Sequence, residues 1–581
     1  MTEKIAIQAE ADLGFSRKLS RWLSKREESL FLFLAVIIGV LSGLAVVAFR
    51  LAIDRTHSLF YGSGQLPKWP AVILIPPAVG LIVAFLVTML FRRARGSGVN
   101  QTKAAVYIFD GYIPFRTVVG KFVTCALAIG SGQSLGPEDP SLQMGAGIAS
   151  ALGRLMRISR ARLRLIAPVG AAAGLAAAFN APISAVLFVI EEVIGNWSAG
   201  VLGAIVLAAA SSVVVVRVFM GPAPMFRIPP YDLKSPVELI AYAVLGVVGG
   251  VSSVAFIKLV ALLRPWLKSL PRWTLYLQPA VAGLLIGVIG LRFPQVMGAG
   301  YESIDAAMHD KYIWQLLALL AAFKIVSTTL SFSTGTPGGM FAPTLFIGAM
   351  VGGAVGHLER DLFPSLGIST GGFALVGMGA LFAGFIRAPM TSVFMVLEVS
   401  GNYTIILPVM ISNTIAYIIS RKYQETALFD LLARQDGVYL PSMEEAREQA
   451  TLLVEDAMRP AGDNAVLDEE DSVRVAIRRI HALPQPLYLV RYHSGDWSGV
   501  TTEEIQHLVE KGKEDMPLRE VISNTRLPML HPDQPLHSAL RQIGDWPQLP
   551  VVSRADFQKL EGVISLQDIL MTYKDANADD T

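Results

Sequence analysis

Long stretches almost free of charge recur along the chain at about 29–53, 70–91, 116–133, 164–190, 199–219, 236–263, 277–291, 313–330, 337–357, 371–397 and 404–420. Many reach the roughly 17–25 residues that a membrane-crossing helix needs. Others are too short or too rich in glycine for one straight crossing, and unwound backbone at membrane depth is tolerated only where protein buries it or a cavity runs beside it. The pattern therefore predicts an all-α polytopic membrane domain over 29–434, with broken helices, after an N-terminal segment 1–28.

Apolar periodicity stops after Ser420, and from about Gln435 the composition becomes charged and ordinary. A linker over 435–452 is expected, then a soluble unit that contains a repeat. One copy, placed at 453–515, runs from Val454-Glu-Asp-Ala-Met458 through Pro486-Leu-Tyr-Leu-Val490 to Gly499-Val-Thr-Thr-Glu-Glu-Ile505. The other, at 516–575, runs from Leu518-Arg-Glu-Val521 through Leu549-Pro-Val-Val552 to Gly562-Val-Ile-Ser-Leu-Gln-Asp-Ile569, and a tail 576–581 follows. Short β-branched runs alternate with helical stretches, as in two small α/β modules in tandem. The membrane part carries its own hint of duplication. Gly132 to Pro140 followed by Glu191-Glu192 is echoed by Gly335 to Pro343 followed by Glu398. Interrupted segments at matching places in two halves point to inverted repeats with a binding site between them.

Composition agrees with a bilayer environment: 52% of residues are apolar and only 17% charged, where about 25% charged is usual in soluble domains. Arg17, Lys18, Arg21, Lys25 and Arg26 before the first apolar stretch, and Arg92, Arg93 and Arg95 two crossings later, predict a cytoplasmic N-terminus by the positive-inside rule. The first stretch lacks a small-residue cleavage site and is not read as a signal peptide. A net charge of +2 suggests no nucleic-acid partner, and the single Cys125 excludes an intrachain disulfide framework and a thiolate metal cluster. Cys125 reads as a small buried apolar residue.

An anion pathway needs donors that replace water without a fixed charge that traps the ion. Helix N-termini offer unpaired N–H groups and about half a positive charge each. Three breaks can present such ends: Gly96-Ser97-Gly98, Gly136-Pro137-Glu138-Asp139-Pro140 and Gly338-Gly339-Met340-Phe341-Ala342-Pro343. Glu138 is the notable acid, because a carboxylate placed inside a membrane is expensive and by default functional. Glu191 and Glu398 read as structural, hydrogen-bonding helix ends, and Gly348, Gly352 and Gly356 as a close-packing ladder.

At these motifs the sequence resembles the CLC chloride channels and proton-coupled chloride antiporters, from about 30 to 435. The family's signatures GSGIP, GREGP and GGxFxP look like Gly96-Ser-Gly-Val-Asn100, Gly136-Pro-Glu-Asp-Pro140 and Gly338-Gly-Met-Phe-Ala-Pro343. Ala171 to Pro182, Val189 to Glu192 and Gly377 to Tyr403 are similar to bacterial members. The resemblance implies a CLC fold of two inverted repeats, a homodimer with one pathway per subunit in the inner (plasma) membrane, and chloride and protons as what is moved, with no cofactor required. It implies that Ser97 and the amides of Met340 and Phe341 coordinate the anion, with Glu138 and Asp139 at the same site, and that Glu138 is an external gate. Glu192 matches the antiporters' internal proton glutamate; its plainer alternative is a structural ion pair with one of the arginines from Arg154 to Arg164.

Four departures stand out. Asn100 replaces the first motif's Pro, Pro137 the second motif's Arg and Asp139 its Gly; the lost Arg and the added Asp139 make the surroundings of Glu138 more negative and its protonation easier. Phe429 aligns with the inner-gate Tyr and lacks its hydroxyl donor. The tandem modules resemble CBS domains, which implies adenine-nucleotide binding, with Ser565 and Asp568 in the ribose-contacting pattern; Glu504, in the first copy, falls one residue early after its glycine. The alternatives to antiport are a passive voltage- or pH-gated chloride channel and, more distantly, a CBS-regulated cation transporter, which would call for clustered acids at midplane.

Overall fold

The computed structural model describes residues 2–62, 69–158, 160–195, 199–226, 235–364, 369–438, 440, 452–460, 466–482, 487–522, 526–544 and 546–578. Most of the expected linker and the last three residues of the tail lie outside the described residues. The chain forms two units, Met1–Gln435 and Asp436–Thr581.

The first unit is predominantly helical, and among the described residues seven helices are long and apolar enough to cross a membrane. It is a multi-pass membrane protein. Its first half comprises α1 (Thr2–Tyr61), α2 (Trp69–Phe85), α3 (Val99–Tyr107), α4 (Phe115–Gly130), α5 (Glu138–Leu155), α6 (Arg160–Phe179), α7 (Pro182–Phe188) and α8 (Ala199–Met220). The second comprises α9 (Glu238–Ser269), α10 (Gln278–Arg292), α11 (Tyr301–Met308), α12 (Trp314–Ser333), α13 (Phe341–Leu362), α14 (Thr370–Ile386), α15 (Pro389–Ser400) and α16 (Ile406–Tyr423), and a short α17 (Leu428–Gln435) closes the unit.

The halves repeat. α1 packs on α8 as α9 packs on α16, α5 on α6 as α13 on α14, and α6 on α8 as α14 on α16, while α2 meets α10 and α7 meets α15 across the two halves. Two apolar stretches that read as single elements, 164–190 and 371–397, are each broken before a proline, giving α6 and α7 at Pro182 and α14 and α15 at Pro389. Pro suits the first turn of a new helix and cannot continue an old one. The periodicity did not reveal α3, α5 or α11, because these carry polar residues on buried faces, nor α17, whose buried face is apolar but only eight residues long. In α5, for example, Glu138, Asp139, Ser141, Gln143 and Ser150 are all buried.

Glu191 and Glu398 make the two-fold relation concrete. Glu191 accepts from the Thr391 amide at 2.9 Å and its hydroxyl at 2.8 Å, in the first turn of α15. Glu398, on α15, accepts from the amides of Ile183 and Ser184 at 2.9 and 2.8 Å, in the first turn of α7. Equivalent acids thus cap each other's helix, the reciprocity a two-fold axis demands. The Gly348, Gly352 and Gly356 face of α13 lies directly on α14: a Cβ on Gly348 would stand 2.7 Å from Met378 Cα, and one on Gly356 2.6 Å from Phe373 Cβ. Cys125 is fully buried.

Among its described residues the second unit holds two three-stranded sheets. β2 (Val466–Asp468), β3 (Tyr488–Arg491) and β4 (Trp497–Val500) form one, with β2–β3 parallel and β3–β4 antiparallel. β1 (Arg459–Pro460), β6 (Leu560–Ile564) and β5 (Leu549–Val552) form the other, in that order and antiparallel. The lead-in segments are exchanged. Val454 and Ala457 pack in the core of the second copy, and Leu518 in that of the first.

Candidate anion site

The three breaks meet. Gly136 and Gly339 exchange both backbone hydrogen bonds, each 2.8 Å, as a single antiparallel bridge between the halves. From this bridge α5 and α13 start at Glu138 and Phe341. The third break, before α3, packs on the same place: a Cβ on Gly98 would lie 2.8 Å from the Asp139 carbonyl oxygen.

Both acids of the first turn of α5 reach across to the first turn of α13. Glu138 Oε2 accepts from the Ala342 amide at 3.3 Å, and its Oε1 accepts from the Tyr301 hydroxyl at the start of α11. Asp139 Oδ2 accepts from the Met340 amide at 3.0 Å. Both carboxyl groups have 0% of their residue surface exposed. Tyr301 was not anticipated, since a lone Tyr after a Gly-rich turn carries no signature.

Ser97 is buried, its hydroxyl oxygen 3.3 Å from the Val99 amide. Phe341 stands in an aromatic cluster, its ring centroid 5.0 Å from Phe188, 5.3 Å from Phe382, 6.1 Å from Phe179 and 6.3 Å from Phe429. Phe429, on α17, is fully buried, and its carbonyl accepts from Asn100 Nδ2 at 2.8 Å. Asn100, in place of the family Pro, thus ties α3 to the inner aromatic segment.

Three lysines change the electrostatic picture drawn from the sequence, which called for no full charge at the path. Lys121 on α4 donates to the carbonyls of Gly96 and Ser97, the latter at 3.1 Å. Its repeat-equivalent on α12, Lys324, donates to the carbonyls of Val296 and Gly298 at 2.9 and 2.7 Å. Both are fully buried and pin the backbone breaks that precede α3 and α11. Lys103 on α3 is the partner of Glu192, with Nζ–Oε1 at 2.9 Å and Asp430 of α17 at 3.5 Å. The arginine alternative is thereby corrected: Arg164 is spent on the Val106 carbonyl at 2.8 Å, and Arg154 lies over the Tyr112 ring. A buried Lys in mid-motif was overlooked because cations in near-apolar stretches look like snorkelling ends. Glu192 itself lies in a π-helical turn, Val189–Ile194, a distortion common at functional places.

Residues 79–421 match the family described as "Voltage gated chloride channel". The chain belongs to that family, the CLC proteins. Residues 515–575 match the CBS domain. Among curated relatives, the chain is 34% identical over 419 residues to the "H(+)/Cl(-) exchange transporter ClcA" of Vibrio cholerae, covering 69% of this chain and 89% of that protein. It is 31% identical over 399 residues to the "Putative chloride channel protein ClcB-like" of Ralstonia nicotianae, covering 67% and 92%. Similar solved structures are a slow cyanobacterial Cl-/H+ antiporter (TM-score 0.65, 24% identity, 70% of this chain and 97% of that one) and a eukaryotic CLC transporter (0.63, 22%, 93% and 97%), which share the fold.

In the CBS unit of this CLC protein, Asp568 Oδ2 accepts from the amide and hydroxyl of Ser565 at 2.8 and 2.7 Å and pairs with Arg459 at 3.0 Å. In the first copy Glu504 Oε2 accepts from the amide and hydroxyl of Thr501 at 2.9 and 3.2 Å. Glu504 falls one residue early after its glycine because β6 runs one residue further past its glycine than β4 does; counted from the helix cap, the two acids take equivalent positions. Each is part of a capping arrangement in which a Ser or Thr and an acid three residues on satisfy helix-end amides.

Proposed function

We propose that this chain exchanges chloride for protons across the inner (plasma) membrane, with Glu138 as the external gate and Glu192 as the internal proton glutamate. The supporting observation is the seat of the Glu138 carboxylate. It lies fully buried against the α13 N-terminus, where amides and dipole would equally hold a free anion. Protonation or displacement of Glu138 then opens a seat that a chloride ion takes. Ser97, the Phe341 amide and the inner Phe429 ring bound the same path. Curated exchangers among the relatives add support. The expected assembly is a homodimer with a pathway in each subunit, and a cytoplasmic N-terminus and CBS unit spanning 453–515 and 516–575.

A passive anion channel is the second reading, favoured by one observation. Lys103 engages Glu192 as a buried ion pair with Nζ–Oε1 at 2.9 Å, a fixed structural contact where a proton relay would call for a freely exchanging acid. Purified protein in liposomes, with anion and proton flux recorded together, decides between them. Uphill proton movement driven by a chloride gradient supports exchange; anion flux with no proton movement supports the channel.

Phe429→Tyr should tighten chloride binding by about 1 kcal/mol, the worth of one recovered hydrogen bond, as read by calorimetry on the whole protein. Unchanged affinity would remove Phe429 from the path. For the CBS unit, an adenine nucleotide is the proposed ligand, near Ser565 and Asp568. Asp568→Ala should weaken its binding about tenfold, about 1.4 kcal/mol, in a titration of the intact chain; no binding by the wild type would leave the capping role alone.

A further inference from the structure

We propose that Asp139 is a second tethered anion, occupying the Met340 amide while Glu138 occupies that of Ala342, so that the pathway carries two carboxylate plugs in tandem. The proposal rests on the reading of Glu138 as a gate and deepens it.

Acids in the first turn of a helix ordinarily satisfy their own helix end. Here two consecutive acids of α5 also reach across to the facing helix, and each covers a different amide of α13. Room for this is provided by the glycines of the bridge. A Cβ on Gly339 would stand 2.7 Å from Asp139 Cγ, and one on Gly136 would strike the Glu138 carboxyl group. Asp139 is not a complete structural cap. Its Oδ2 is bonded to Met340, but Oδ1 is buried with no hydrogen-bond partner. A carboxylate oxygen left in that condition is costly, and a neutral hydroxyl would cap the same amide more cheaply. The geometry suits a group that is held only until a better anion arrives. The groups that act on this pair are Lys121 and Cys125 of α4, Arg50 of α1 and Tyr301 of α11, and α13 contributes backbone amides.

The Met340 amide is one of the two that would coordinate the transported ion. While Asp139 sits on it, chloride and carboxylate compete for one donor. Neutralising Asp139, by protonation or substitution, should relieve the competition. In the second half the repeat-equivalent of Asp139 is Ala342, which bears no such group, so the device is confined to one side of the bridge.

The test uses the full-length protein and chloride as the probe. Asp139→Asn keeps an oxygen for the Met340 amide and removes the charge. Chloride binding by calorimetry from pH 5 to 9 should weaken with rising pH in the wild type. In Asp139→Asn it should be about tenfold tighter at the alkaline end and less dependent on pH. Glu138→Gln alone should keep part of the pH dependence, and the double variant should lose it. Wild-type affinity and pH profile in Asp139→Asn would overturn the proposal and leave a helix-end cap. Should that variant not fold, Asp139→Gly, the family's own residue, is read in the same way. Failure of the gate reading looks different: Glu138→Gln would then leave coupled proton transport intact whatever Asp139 does.

Discussion

Glu138→Gln is expected to abolish coupled proton movement while chloride still flows. The glutamine keeps the shape of the side chain and an oxygen for the Ala342 amide at the 3.3 Å separation seen for Glu138, but it carries no exchangeable proton and no charge with which to hold the seat against chloride. The atom facing the Tyr301 hydroxyl, which donates to Oε1 in the wild type, becomes an NH2 group that can donate to the hydroxyl oxygen once the hydroxyl rotates, so the fold around the bridge should survive. Proton flux should fall to the leak of empty liposomes, and anion flux should lose the part of its pH response that Glu138 carries. An acid buried in a membrane that can be neutralised without consequence would be an anomaly. Coupled proton transport at the wild-type rate in Glu138→Gln would shift the gate to another group.

The second large effect is expected at the inner end. Glu192→Gln should stop proton movement with anion flux largely kept, because the external gate and anion seat are untouched. Lys103→Met, in contrast, should damage the protein itself. Removing the ammonium leaves Glu192 and Asp430 facing one another without the cation that lies 2.9 and 3.5 Å from them. Breaking a buried ion pair from one side costs roughly 3–5 kcal/mol, which thermal unfolding in detergent would register. If Lys103→Met is as stable as the wild type, water rather than protein solvates these acids. A wild type that moves no protons at all would leave the passive channel.

The order of apolar stretches, the Gly-rich breaks and the second unit with its internal repeat were all legible in the sequence, because hydrophobic run length and turn residues are local properties. So was the family, since its motifs are short, ordered and built from glycine and proline, residues whose backbone requirements leave little choice. The helix-capping roles of Glu191 and Glu398 could also be anticipated, though not the partner that each one caps. What the tertiary structure decided are the pairings between distant segments: Gly136 with Gly339, Lys103 with Glu192 and Asp430, Lys121 and Lys324 with the breaks before α3 and α11, and Tyr301 with Glu138. Each joins residues that share no helix face or strand register, so no periodicity encodes them. A buried ammonium or hydroxyl takes whichever acceptor the fold brings to it, and desolvation makes that choice obligatory. Composition could announce acids inside a membrane; only the crossing of two half-helices at a glycine bridge decided that Glu138 and Asp139 would both lie on the amides of α13.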